Sequence, residues 1–333
     1  MDGSATTQTA ATQGGVGNSL EAASDSDQAA EQVAEAPAEA PEEAPDGDGC
    51  YRPLGTETGA DGTRVETFET REYALSAWGL HLQHGGPVAG LLVRAMERSA
   101  PLPGTRISRF AVEILGPIPP SPVRTRAWIE RPGRRIALIG AELESRQPDG
   151  SWRTVARAWA WRLATQDTAV MARHSDAAAP GRDTPAPHPA GEFGGLPVSW
   201  RMGFVTALDW RFIRPLGHPD APSLAWVRLA HPLVIGEEPT PLESAIAICD
   251  VANGVGARLD PRDWIFLNTD LTIHLFEEPV GEWFGIEAET SVGRDGIGMS
   301  AATLHGESGP IGRIAQTLLV ERRTPDPAGR PTG

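Results

Sequence analysis

Two polar side chains stand where their neighbours in sequence are apolar. Asp250 lies in "AIAICDVANGV" and Gln316 in "GRIAQTLLV". A carboxylate can take a proton from a bound water, and an amide can both donate and accept hydrogen bonds. Buried, each needs partners. Asp250 comes four residues after Ile246, which places it beside the apolar face of its helix. It comes seven after Glu243, which places it at that face's edge. From the helix alone, a solvated edge acid and a functional acid are both open, and Gln316 could simply bond backbone. The third candidate is "HLQHGGPV", residues 81–88. Gly85 and Gly86 precede Pro87, the expected first helical residue. The free N–H groups of a helix start favour negative charge, and glycine lets a ligand approach closely. His84 beside them could serve as a general base, against the plainer reading of a solvated loop histidine.

The elements that must hold these residues repeat. "PLESAIAICDVANGV", residues 241–255, reads as one helix, with Thr240 as N-cap, Pro241 at the first position and Glu243 completing a capping box. An earlier helix, "PVAGLLVRAMERSA", precedes a similar set of strands. With an offset of 160, Leu115 falls on Leu275, Pro119 on Pro279, Gly133 on Gly293, Arg134 on Arg294 and Ala141 on Ala301. Both halves run strand, helix, then several alternating strands, and end in "RTVARAWAWRL" or "IGRIAQTLLVER". That pattern predicts an α+β layer architecture made twice, two unrelated α+β domains being the alternative. The polar residues occur in one copy only. Met96 stands where Asp250 would be and Ala160 where Gln316 would be, as expected if one copy keeps a site and the other is structural.

Composition narrows the class. The chain has 333 residues and a net charge of −15. Residues 1–48 hold eleven carboxylates and no Lys or Arg, so the remaining 33 carboxylates nearly balance 29 bases. No basic footprint for nucleic acid is present. Residues 1–49 read as a disordered acidic tail, and they lack the charge and apolar pattern of a signal peptide. No apolar run approaches the roughly 18 residues of a membrane span. Cys50 and Cys249 are in no metal or redox spacing, which fits a reducing cytoplasm with Cys249 in the core. "PGRDTPAPHPAGEFGGLPV" belongs to a linker over 166–198. The expected units are residues 50–165, residues 199–322 and a disordered end over 323–333. Trp128, Trp159 and Trp161 read as packing residues rather than a substrate box.

"HGGPVAGLLVRAMER", "RPGRRIALIGAELE", "GEEPTPLESAIAICDVANGV", "FLNTDLTIHL" and "GRIAQTLLV" occur in this order. Together they resemble the acyl-CoA thioesterase family with a double hotdog fold, in particular the branch related to acyl-CoA thioesterase II. The resemblance spans roughly residues 55–322. It implies two tandem hotdog repeats, each a long helix wrapped by a bent antiparallel sheet, and hydrolysis of acyl-CoA or another acyl thioester in fatty acid metabolism. In that family an Asp, a Ser or Thr, and a Gln hold the attacking water. The Asp falls on Asp250 and the Gln on Gln316. The hydroxyl position departs from the pattern: Asn268 keeps the register, and Thr269 takes the role only with a shift that turns it to the other face. Gly85 and Gly86 become oxyanion-hole candidates. Arg131, Arg134 and Arg135 become candidates for the coenzyme A phosphates. No metal or redox cofactor is implied, coenzyme A entering only as the substrate's carrier, and both a lone chain and a homo-oligomer are compatible with a double hotdog. Two other functions stay open: a non-catalytic acyl-thioester or lipid-binding hotdog protein, suggested by Asn268, and a hotdog dehydratase or hydratase acting through His84.

Overall fold

The computed structural model describes residues 47–99, 101–184, 198–218 and 220–323. The tail expected over 1–49 lies outside them except for its last three residues, and the one expected over 323–333 except for Arg323. In chain order the elements are β1 (Tyr51–Thr58), β2 (Arg64–Thr70), β3 (Leu75–Ser76), β4 (Gly79–Gln83) and α1 (Gly85–Ser99). Then follow β5 (Thr105–Ile114), β6 (Val123–Arg131), β7 (Ile136–Arg146), β8 (Trp152–Ala164), β9 (Leu208–Arg214) and β10 (Ser223–Leu229). The chain continues through α2 (Pro241–Cys249), α3 (Ala252–Val255), β11 (Trp264–Asn268), β12 (Asp270–Leu275), β13 (Phe284–Val292), β14 (Ile297–Gly306) and β15 (Gly309–Arg322).

Apart from the β3–β4 ribbon these strands form one thirteen-stranded sheet. Its order is β1-β2-β6-β7-β8-β5-β12-β15-β14-β13-β10-β9, with β11 on β15. The order mirrors itself about the β5–β12 seam, and each of the first copy's six strands in this order has its counterpart in the second. At the seam Asp270 lies opposite Glu113, and Thr272 opposite Ala111. Each copy thus covers what would otherwise be the other's open edge. This is a double hotdog α+β fold. The expected linker is partly held down on the second copy: His174 Nε2 lies 3.0 Å from Glu277, and Trp226 Nε1 donates to Pro180 O at 2.8 Å.

Residues 86–96 of α1 are all buried, so this helix is covered on every side. It meets α2 closely. A Cβ on Gly90 would sit 2.7 Å from Leu233 and 3.1 Å from the Ala247 methyl. Arg94, 1% exposed, crosses from α1 to two carboxylates. It donates to Glu66 on β2 at 3.0 and 3.2 Å, and to Glu237 ahead of α2 at 2.7 and 2.8 Å. Arg98 closes on Glu237 at 2.8 Å. The network ties α1 to the first copy's sheet and to the second copy's helix.

Two features correct the expected helices. The first begins at Gly85, not Pro87, because His84 Nδ1 accepts from Gly86 N–H at 3.0 Å and supplies a cap. The second is not continuous over 241–255. It stops at Cys249, with Asp250 as its C-cap, and resumes at Ala252. Val251 N–H turns back to Ile248 O, a tighter bond than the helical one, and the Asp250 carbonyl accepts from a side chain, Gln316 Nε2.

The predicted capping box is present. Thr240 Oγ1 accepts from Glu243 N–H at 3.1 Å, and Glu243 accepts from Thr240 N–H at 3.2 Å. Burial, and then the neighbouring Glu97, push the Glu243 carboxyl up to about 7. A folded-state value above the unfolded one means that stability is full at low pH and lost as pH rises between about 4.5 and 7. The loss is of order 3 kcal/mol, the two values differing by about 2.5 units. Urea unfolding at pH 5 and pH 8 measures it. Glu243→Gln keeps the acceptor of the box, and the variant should lose less stability than the wild type over that interval.

Candidate functional site

The site forms where the N-terminus of α1 meets the C-terminus of α2. Asp250 is 3% exposed, which rules out a solvated edge acid. Its Oδ1 accepts from Asn268 Nδ2 at 2.8 Å and from Gln316 Nε2 at 3.3 Å. The same Gln316 Nε2 reaches the Asp250 carbonyl at 3.2 Å. Oδ2 lies 3.0 Å from His84 Nδ1. Three segments distant in sequence therefore converge on one carboxylate. The first turn of α1 favours negative charge there. The approach is tight: a Cβ on Gly85 would fall 2.7 Å from Oδ2 and 2.9 Å from Oδ1. Only glycine lets the helix start this close to the carboxylate. Gly86 is equally confined, since its Cβ would fall 2.6 Å from Ala247 O.

His84 Nδ1 has two contacts and one in-plane orbital. Unprotonated, it accepts from Gly86 N–H. Protonated, it donates to Asp250 Oδ2. The two contacts need the proton in different places: on Nδ1 for the contact with Asp250, and off Nδ1 for the one with Gly86. The His84 side chain is 13% exposed, so it is not the solvated loop histidine of the plainer reading.

Gln316 Oε1 is buried and has no protein partner among the described residues. Ser300 stands directly opposite Gln316 on β14, and Thr290 opposite Ser300 on β13. Both hydroxyls are likewise buried without a protein partner. Buried polar atoms of this kind are commonly satisfied by ordered water. Gln316, Ser300 and Thr290 thus form a polar row across β15, β14 and β13 that starts at the partner of Asp250. Sequence reasoning missed the two hydroxyls, and the strand register that aligns them was the only signal that could have found them.

Asn268 closes β11 and touches Asp250. Thr269 joins the sheet through its backbone, donating to Thr317 O and accepting from Ile114 N–H. The structure does not bring Arg131, Arg134 and Arg135 to Asp250. Their turn joins β6 to β7, where Arg135 O accepts from Ala164 N–H, and Ala164 pairs with Thr105 just past the C-terminal end of α1. Asp250 is at the other end of that helix, which is about 22 Å long at 1.5 Å per residue. Arg131 is spent on the turn itself, donating to Ile136 O at 2.7 Å.

An apolar cavity of about 40 Å³ borders His84. Trp78, Trp200 and Trp210 line it, together with the turn that follows Asp250. None of these tryptophans was singled out from sequence, because they come from separate segments with no shared spacing. Among the described residues, no three His, Cys, Asp or Glu side chains are placed to hold a metal ion. None of the described helices is long and apolar enough to cross a membrane.

Residues 75–163 match the model of the acyl-CoA thioesterase N-terminal domain, and residues 176–320 that of the C-terminal domain. No curated protein matches the chain. Among solved structures, a conserved hot-dog-fold protein of unknown function from Alicyclobacillus acidocaldarius superposes with a TM-score of 0.57 at 17% identity, covering 80% of this chain and 96% of its own. An acyl-CoA thioesterase II, TesB2, from Mycobacterium marinum gives 0.55 at 15% identity, covering 81% and 96%. The tesB protein of Mycobacterium avium subs paratuberculosis gives 0.54 at 14%, covering 77% and 93%. At these identities the likeness is one of fold.

Proposed function

Since this chain belongs to the acyl-CoA thioesterase family and is a thioester hydrolase of that family, we propose that it hydrolyses acyl-CoA with a water held at Asp250. The convergence of Asn268, Gln316 and His84 on that buried carboxylate carries the reading. Asp250 takes a proton from the water as its oxygen attacks the thioester carbonyl carbon. Asn268 and the Gln316 amide N–H fix the carboxylate, and Gln316 Oε1 accepts from the water. The carbonyl oxygen becomes an oxyanion, and Gly86 N–H at the start of α1 donates to it. That donor is open only when His84 Nδ1 is protonated and turned to Asp250. The C–S bond then breaks, the acid leaves, and the proton returns to the coenzyme A sulfur. Asn268 stands where the family places a hydroxyl, and its amide serves here by holding Asp250 rather than by touching the water.

A free-thiol assay with a panel of acyl-CoAs tests this reading. The wild type should release one thiol per acid formed. Gln316→Leu should lower kcat by about 10²-fold with KM nearly unchanged, the usual size for one lost orienting group. Binding of acyl-CoA without turnover sinks the reading.

The His84–Asp250 contact favours a second reading, dehydration or hydration through His84, because the histidine is set into the site and not exposed. The products separate the two. Dehydration of a 3-hydroxyacyl thioester keeps the C–S bond, so enoyl thioester accumulates and no thiol appears.

A further inference from the structure

We propose that the cavity beside His84 seats the acyl chain and that Trp200 limits it to about two to four carbons. The inference rests on the thioester-hydrolase reading above and adds the substrate's chain length. The cavity holds about 40 Å³, and one water-sized group needs roughly 10–15 Å³ of such space. Room for about three groups is room for a short chain. The lining is apolar, so it favours methylenes over water. His84 forms part of the wall, which places the pocket next to the reacting atoms.

The walls are closely packed. Trp200 is 6% exposed, and its ring meets Trp78 edge to face at 5.3 Å and Phe266 at 5.7 Å. Trp78 meets Phe266 at 4.9 Å. Trp210 stacks on Phe212 at 5.4 Å and donates from Nε1 to Val205 O at 3.0 Å. Such packed rings do not swing aside at small cost. Trp200 also lines a much larger open cleft of about 770 Å³, beside Leu216, Arg258 and Arg262. One indole thus borders both spaces, and among the described residues it is the lining residue the two share.

Two variants move the limit in opposite directions. Trp200→Ala should open the pocket toward the cleft. A Cβ on Gly254 would lie 3.8 Å from Trp200 Cζ3, an ordinary contact, so Gly254→Ala fits the fold and narrows the pocket. The probes are acetyl-, butyryl-, hexanoyl- and octanoyl-CoA, and the readout is kcat/KM from thiol release. The wild type should be best at two to four carbons and at least tenfold poorer on octanoyl-CoA. Trp200→Ala should raise octanoyl-CoA by at least about tenfold relative to butyryl-CoA, each buried methylene contributing roughly three- to fourfold. Gly254→Ala should lower butyryl-CoA several-fold relative to acetyl-CoA, and this stands even if Trp200→Ala fails to fold. A wild type that prefers octanoyl-CoA, or an order of preference that neither variant moves, overturns the pocket while leaving hydrolysis intact. No thiol release from any of the four overturns the hydrolase reading instead, and the pocket proposal with it.

Discussion

Asp250→Asn lowers kcat for acyl-CoA hydrolysis by about 10³-fold, near the middle of the range for loss of a general base. The substitution isolates charge from geometry. An asparagine oxygen at the Oδ1 position still accepts from Asn268 and Gln316, so both hydrogen bonds at 2.8 and 3.3 Å have a partner. What disappears is the proton acceptor and the negative Oδ2 facing His84 Nδ1. The ring nitrogen then has no carboxylate to hold it, and it returns to Gly86 N–H, closing the proposed oxyanion donor. Base and electrophilic assistance fall together, so kcat moves far more than KM. The fold should survive, because the exchange is isosteric and keeps the α2 cap. Steady-state kinetics beside thermal unfolding checks both halves. Activity within a few-fold of wild type, with folding intact, removes Asp250 from the mechanism.

Arg94→Met costs about 3–5 kcal/mol of stability, the usual consequence of taking one partner from a buried ion pair. Arg94 is 1% exposed and Glu66 6%, so neither charge has water to fall back on. Burial pushes the Glu66 carboxyl up, but hydrogen bonds from Arg94 and Arg64 outweigh it and hold the group below the ordinary carboxylate range. Glu237 behaves likewise through Arg94 and Arg98. A depressed folded-state value means that this stability is present above about pH 4.5 and lost as pH falls below it. Methionine fills the space of the arginine stem but leaves Glu66 with only the exposed Arg64. The double variant Arg94→Met/Glu66→Leu removes the stranded charge and should regain most of the loss. Denaturant unfolding of the two variants tests this, and equal instability of the single and the double overturns the account.

This network and the site depend on the same junction, but they were not equally legible. Asp250 and Gln316 could be picked out because their counterparts, Met96 and Ala160, are apolar, and both of those are fully buried in the core. Asn268 was reachable from register. Arg94 was not. In sequence it is one polar residue in an apolar helix, and nothing local says that Glu66 and Glu237 will close around it. His84 was undervalued for the same reason, since its partner lies in the other repeat. The place of the arginine turn was equally hidden: three cations in a tight turn suit phosphates by chemistry, and the hairpin carries them to the end of α1 away from Asp250.

The sequence by itself determined what short-range energies decide. The capping box at Thr240 and Glu243, the alternation of the strands and the twofold order of elements all follow from contacts within a few residues. Even there the two helix boundaries changed, because His84 supplied a cap and the Asp250 carbonyl gained Gln316 as a donor from a distant strand. The tertiary structure alone decided how the start of α1 meets the end of α2. The β5–β12 seam joins two sheets that each lack an edge partner, and the buried helices meet each other at glycine contact distance. A glycine approach of under 3 Å to a carboxylate, or three tryptophans around 40 Å³, has no periodic signature in the chain. Such placements depend on long-range packing, and only the closed fold sets them.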